Sequence, residues 1–173
     1  MFKNPHDIML YRERTEGQEF GLAKKNYLLC PVCLAIYHEK SWHHRLDGAA
    51  AGLEGKKLAF KLCPACDMIA ARQYEGRLII ENVPARLQGE LFNLIQSFSR
   101  KAYEKDCQHR LIAITRNGHG NWLVTTTENQ LATKLGKKIG EVFNGTDVKI
   151  SYSRQPDDVE RIKINFKPLT ERL

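Results

Sequence analysis

Two short cysteine pairs, Cys30-Pro-Val-Cys33 and Cys63-Pro-Ala-Cys66, stand 29 residues apart and constrain this chain more than anything else in it. Within each pair the two-residue spacer lets both thiolates of one tight turn face the same ion. The proline after each first cysteine presets one turn dihedral and brings the second sulfur round. Two such knuckles supply four sulfurs, which closes a tetrahedral shell and leaves no open position for water or substrate. A lone CxxC is shared with thioredoxin-like redox motifs, and four unrelated thiols or two disulfides are the alternatives here. The repeated CPxC spacing points instead to one structural Zn2+ held by Cys30, Cys33, Cys63 and Cys66.

A chain of 173 residues accommodates one ordinary domain or two small modules. The start, Met1-Phe2-Lys3-Asn4-Pro5, has no apolar signal region, and no run approaches a membrane span. Five cysteines without an export signal, four of them in knuckles, suggest a reducing compartment and metal rather than disulfides. The expectation is a cytoplasmic protein with no membrane partner. The net charge of +7 and a pI near 9.2 favour nucleic acid or another polyanion as partner. A zinc ion held by four thiolates is formally dianionic, so the knuckles add nothing to that positive balance.

Residues 1–27 read as a polar arm without helical or strand periodicity, either partly ordered or ordering on a partner. Residues 28–75 hold the zinc module. Leu34–His38 and Ser41–His44 have the look of short strands, 47–55 of a Gly/Ala-rich loop or short helix, and Leu58–Leu62 leads into the second knuckle. His38, His43 and His44 lie between the knuckles but are surplus to a four-thiolate shell, which makes them surface or supporting groups. Trp42 is expected over the small core, the alternative being a platform for a stacked base. Lys56, Lys57 and Lys61 form a basic run beside the second knuckle, either a solvated face or a phosphate contact.

From residue 76 to 173 the pattern becomes that of an α/β module. Leu78-Ile79-Ile80 signals a buried strand, and Pro84 suits the opening of a helix. Leu87, Leu91, Leu94, Ile95, Phe98 and Ala102 recur at helical spacing down to about Lys105. Arg110–Arg116 and Asn121–Thr127 form two strands joined through the turn signal Asn117-Gly118. Thr127 and Gln130 fit a capping box for a second helix carrying Leu131, Leu135, Ile139 and Phe143, which ends at Asn144-Gly145. Val148, Ile150 and Tyr152 alternate in the next strand. Ile162, Ile164 and Phe166 alternate in the last, after a turn at Pro156-Asp157.

The expected class is therefore α+β: an N-terminal zinc ribbon, then a ferredoxin-like βαββαβ module with an added edge strand. Two helices would cover one sheet face. The other would carry Lys149, Ser151, Arg161, Lys163 and Asn165, a polar and basic surface. Lys134, Lys137 and Lys138 are expected on the polar side of the second helix. No aromatic-rich strand signature of an RRM is present, so basic side chains without stacking rings point to backbone contact. Leu135-Gly136-Lys137-Lys138-Ile139-Gly140 has three residues between its glycines and lies in a helical pattern. That argues against a KH loop and for a small-residue face packed on the sheet. No nucleophile–base pair or phosphate-binding glycine loop is visible, and a saturated zinc site cannot activate water. An enzyme is not expected, and Cys107 reads as a lone, partly buried thiol.

The two CPxC knuckles, Tyr37-His38, Trp42, and Leu123-Val-Thr-Thr-Thr127 with Leu131-Ala132 resemble a group of small bacterial zinc-ribbon proteins. That likeness implies the metal and brings no activity with it. More distantly, two CxxC knuckles before an α/β module look like the N-terminal part of the archaeal and eukaryotic adaptor for large-ribosomal-subunit export. That resemblance implies a structural zinc site and docking on the ribosome. Such ribbons often place glycine after the second cysteine of a knuckle, where this chain has Leu34 and Asp67.

The resulting expectation is a non-enzymatic zinc-ribbon protein that binds RNA, most plausibly on the ribosome. The phosphate contacts would come from Lys56, Lys57, Lys61, Lys134, Lys137, Lys138, Lys149, Arg161 and Lys163. A protein-interaction adaptor for an acidic partner is the first alternative and a DNA-binding regulator the second.

Overall fold

A computed structural model of the chain describes residues 27–38, 40–44, 58–152 and 160–167. The N-terminal arm before Tyr27, the 47–55 segment, Lys56, Lys57 and the Pro156-Asp157 turn lie outside the described residues. What is described is α+β: a small sheet carrying the cysteines, then a larger mixed sheet with helices.

The small sheet has four three-residue strands in the order β3-β2-β1-β4, namely β1 (Tyr27–Leu29), β2 (Ile36–His38), β3 (Ser41–His43) and β4 (Leu58–Phe60). β1, β2 and β3 form an antiparallel meander. β4 pairs parallel to β1, Tyr27 against Leu58 and Leu29 against Phe60. That parallel register decides where the cysteines go. Each pair follows a strand of the same direction, so both emerge at the same end of the sheet, and Lys61 N–H donates to Leu29 O (3.1 Å) as the chains leave together. Leu28, Tyr37 and Trp42 are buried beneath. With Trp42 packed on Tyr37 (ring centroids 5.5 Å apart), its face is taken up by the core and not offered to a base.

The larger sheet contains β5 (Gly76–Glu81), β6 (Leu111–Arg116), β7 (Trp122–Thr126), β8 (Thr146–Tyr152) and β9 (Glu160–Phe166) in the order β6-β7-β5-β9-β8. α2 (Gln88–Lys105), entered through a 3-10 turn at Ala85–Leu87, and α3 (Asn129–Val142) pack on its apolar side. The expected added edge strand is not at an edge. β9 inserts between β5 and β8 and runs parallel to β5, which makes the sheet mixed. The side chains give the reason. Ile162, Ile164 and Phe166 of β9 are all buried, whereas β8 alternates half-buried Val148 and Ile150 with Lys149 and Ser151. The strand whose core-side residues are all buried gains more from a central position, and one whose core-side residues are half-buried is tolerated better at a rim.

α3 lies close to this sheet because its glycines let it. A Cβ on Gly136 would sit 2.8 Å from Ile162 Cγ2, and one on Gly140 would sit 2.9 Å from Val148 Cγ2. The glycine spacing is thus a packing face, as the helical pattern suggested. The capping box is absent. Glu128 is the N-cap residue and makes no side-chain cap bond, while Thr127 is turned elsewhere. Its hydroxyl donates to Gln108 O (2.5 Å) and accepts from Arg110 N–H (2.8 Å), pinning the segment after α2.

Candidate metal centre

The first cysteine pair is shaped by a reverse turn in which Leu34 N–H donates to Cys30 O and Cys30 N–H to Ala35 O, both at 2.9 Å. Leu34 takes φ +63°, the left-handed conformation that favours glycine, and does so without one. The second pair is not a matching turn. Cys63 is the N-cap of α1 (Pro64–Ala70): its Sγ accepts from Cys66 N–H at 3.4 Å, and Pro64 occupies the first helical position. Asp67 is consequently helical and needs no glycine.

The four sulfurs of Cys30, Cys33, Cys63 and Cys66 all lie within 4.8 Å of one another, and Cys33 Sγ is 3.6 Å from Cys63 Sγ. A tetrahedron with Zn–S bonds of about 2.3 Å has sulfur–sulfur edges of about 3.8 Å. A disulfide would bring two sulfurs to about 2.05 Å, and all five cysteines are free thiols. The cluster can therefore hold one metal ion. His38, His43 and His44 take no part in it. His38 and His43 stack at 4.3 Å, and His44 Nε2 donates to Tyr103 O with its ring edge-on to Tyr103.

The electrostatics of the pocket fit a dication. Burial disfavours a charge on Cys30, but the backbone N–H groups of Cys33, Cys63 and Val32 outweigh it and bring the thiol down to about 7. Cys63 is pushed up to about 11, by burial first and also by the neighbouring Cys33 charge. Cys66 is raised further, again by burial and then by Cys63. One thiolate is stabilised by local amides and the next ones are resisted, the behaviour of a donor set that ionises fully only around a cation.

A second layer comes from the α/β module. Cys107 is buried in the same cluster of side chains as Cys30, Cys63 and Trp42, and burial raises its pKa. Gln108 bridges the modules: Oε1 accepts from Ala65 N–H (3.0 Å) in the first turn of α1, and Nε2 donates to Cys107 Sγ (3.3 Å). Arg110 donates from Nε to Cys107 O (3.0 Å), and its guanidinium lies 4.5 Å from the centre of the Tyr103 ring. Burial works against its charge, but the sulfurs of Cys33 and Cys66 and Tyr103 outweigh burial and raise its pKa. The sequence marks Cys107 only as a lone, partly buried thiol, and Gln108 and Arg110 carry no local signal for a place beside the cysteines.

The expected phosphate contacts do not form one patch. Strand register places Lys149 beside Lys163 and Ser151 beside Arg161, with Arg161 beside Arg77, all on the sheet face opposite the helices. Lys149 and Lys163 reach Asp147 (3.6 Å) and Glu81 (3.0 Å) on the same face. Lys134 and Lys137 are exposed on α3, on the other side of the layer, and Lys138 pairs with Glu141 at 3.0 Å. Lys61 is half-buried next to the second pair. Among the described residues no helix is long and apolar enough to cross a membrane.

No protein-family model matches the chain, and no curated protein matches it either. The likeness to zinc ribbons therefore rests on the cysteine pairs themselves.

Proposed function

We propose that this is a non-enzymatic RNA-binding protein of a reducing compartment, in which one structural Zn2+ on Cys30, Cys33, Cys63 and Cys66 holds the front module in shape. The observation that carries the binding reading is the register of the open sheet face, where Lys149, Lys163, Arg161 and Arg77 stand on three adjacent strands, β8, β9 and β5. Strands about 4.8 Å apart with side chains repeating every second residue set these cations in a lattice suited to an extended phosphate backbone. The face carries no aromatic ring among its central residues Arg77, Ile79, Leu123 and Thr125, so the contact follows backbone charge rather than base identity. Four sulfurs around one ion leave it no site for water, which favours a structural over a hydrolytic role. The proposed source of the RNA is the ribosome.

The test compares single-stranded RNA binding by the wild type and by Lys149→Glu/Arg161→Glu/Lys163→Glu across a salt series. Losing about three phosphate contacts should lower the slope of log affinity against log salt by about 2. The matching triple change at Lys134, Lys137 and Lys138 should have the smaller effect. Wild-type protein that binds no RNA at low salt, and stays wholly in the light fractions of a ribosome gradient, would end the proposal.

A second reading, an adaptor for an acidic protein segment, is favoured by the outer edge of β6. No strand covers it among the described residues. Beside it runs a cavity of about 670 Å³ lined by Phe92, Tyr103, Ile114 and Arg100. An edge strand with an apolar groove accepts an added strand. A protein partner retained after nuclease treatment would favour it over RNA.

A further inference from the structure

Arg110 belongs by sequence to the α/β module, yet it is half-buried against the cysteine cluster of the other module. Its Nη2 is buried and makes no hydrogen bond within normal limits among the described residues. Its Nε is spent on Cys107 O, and its plane rests on Tyr103, so the guanidinium is fixed with one fork turned inward. A buried cation with an unmatched N–H is costly unless a negative charge faces it. No described carboxylate pairs with Arg110, whereas Cys107, whose carbonyl it holds, is buried in one cluster with Cys30, Cys63 and Cys66, and the sulfurs of Cys33 and Cys66 raise the pKa of the guanidinium. Four free thiols would give that cation little to face, but a metal tetrathiolate carries two negative charges. N–H···S contacts from surrounding groups also orient the sulfurs and disperse their charge.

We infer that Arg110 is the charge partner of the metal centre, a positioning residue through which metal occupancy controls how firmly the cysteine module is held against the α/β module. Three further contacts lie on the same seam and would tighten or loosen with it: Gln108 Oε1 on Ala65 N–H, Cys107 in the buried cluster, and His44 on Tyr103 O. Without the ion the cluster ionises only in part, and the guanidinium becomes a buried cation with less negative charge to face. Metal release then works against docking at the very residues that join the modules. The inference rests on the metal reading of the four cysteines, and goes beyond it by assigning a fifth residue and a consequence.

The experiment uses the full chain with zinc and a chromophoric competing chelator. Arg110→Met, which keeps length and removes charge, should weaken zinc binding by about 10- to 100-fold. Arg110→Lys, which keeps charge without the planar fork, should fall between. A charge-specific readout comes from replacing zinc by iron, which four thiolates also hold. Arg110→Met should lower the Fe3+/Fe2+ potential, because a nearby cation favours the more negative reduced centre. A purely packing role would leave that potential in place. In the wild-type protein, chelation should speed amide exchange across Tyr103–Leu111 while β5, β7 and β9 stay protected. This last measurement stands even if Arg110→Met does not fold. Zinc affinity within twofold of wild type in Arg110→Met, or equal exchange at 103–111 with and without metal, overturns the inference while leaving the metal centre intact. A native protein without stoichiometric metal overturns both.

Discussion

Cys63 has two duties that a pair of substitutions can separate. Its sulfur belongs to the four-sulfur cluster, and the same sulfur accepts from Cys66 N–H at 3.4 Å as the N-cap of α1. Cys63→Ser keeps a good capping oxygen but replaces the soft ligand, and Cys63→Ala removes both. A cap is worth about 1 kcal/mol. Structural zinc in small peptides is worth about 10–16 kcal/mol. Shared over four sulfurs, this is about 3–4 kcal/mol each, or two to three orders of magnitude in affinity. The small sheet has only three-residue strands and few large buried side chains of its own, so that loss falls on the folding of the module. If the metal governs, both variants should lose zinc affinity by at least a hundredfold and differ from each other by about 1 kcal/mol in stability. Chelator competition reads the affinity. Tryptophan fluorescence during thermal unfolding in a Trp122→Phe background reads the small core, since Trp42 is buried within it and Trp122 lies in the larger core. A Cys63→Ser protein that binds zinc within tenfold of wild type would refute the reasoning, and the cap would then be the reason for a cysteine there.

Thr127→Val should destabilise the chain by about 2–4 kcal/mol in denaturant unfolding, because it leaves Gln108 O and Arg110 N–H without their hydroxyl partner inside the fold. A change under 0.5 kcal/mol would mean the segment is held otherwise. Gly76→Ala should cost about 1–3 kcal/mol or more, since a Cβ there meets Thr126 Oγ1 at 2.2 Å, Ala132 Cβ at 2.5 Å and the Glu128 carbonyl at 3.0 Å; an unchanged midpoint would contradict that close approach. The Glu128 carboxyl is raised by burial first and by Asp106 second. A raised carboxyl contributes stability below its unfolded pKa of about 4.3 and loses it as pH rises through the folded value. Glu128→Gln should therefore raise the melting temperature at pH 7 and lose that advantage near pH 4. The opposite order of the two measurements would refute it.

The four-cysteine cluster was legible because its chemistry is local. Two thiols three positions apart beside a proline advertise a ligand pair wherever the chain goes. The spacing did not say that one pair would be a turn and the other the start of a helix. That depended on Pro64 and on Cys63 acting as its own cap. Most elements of the α/β module were likewise written in periodicity, down to the lysines and arginine alternating with Ile162, Ile164 and Val148. The sheet order was not. Strand pairing is a non-local choice settled by which strand can be buried on both flanks, and β9, with its core side fully buried, displaced the half-buried β8 to the rim on those terms. Thr127 was misread for a similar reason. A capping box is a local option, and the hydroxyl found two better-matched backbone groups from a distant segment.

By itself, then, the amino-acid order determined the two cysteine pairs, the positive balance, and the alternation that gives the large sheet one apolar and one basic face. These follow from side-chain chemistry and from the periods of strand and helix. Tertiary structure alone decided three things: that β1 and β4 run parallel and bring the two cysteine pairs to one end, that β9 takes the interior place, and that the basic residues fall on two opposite sides of the layer. It also brought Arg110 to the thiols. Such choices depend on burial and on charges meeting across the fold, and neither exists until segments far apart in the chain have come together.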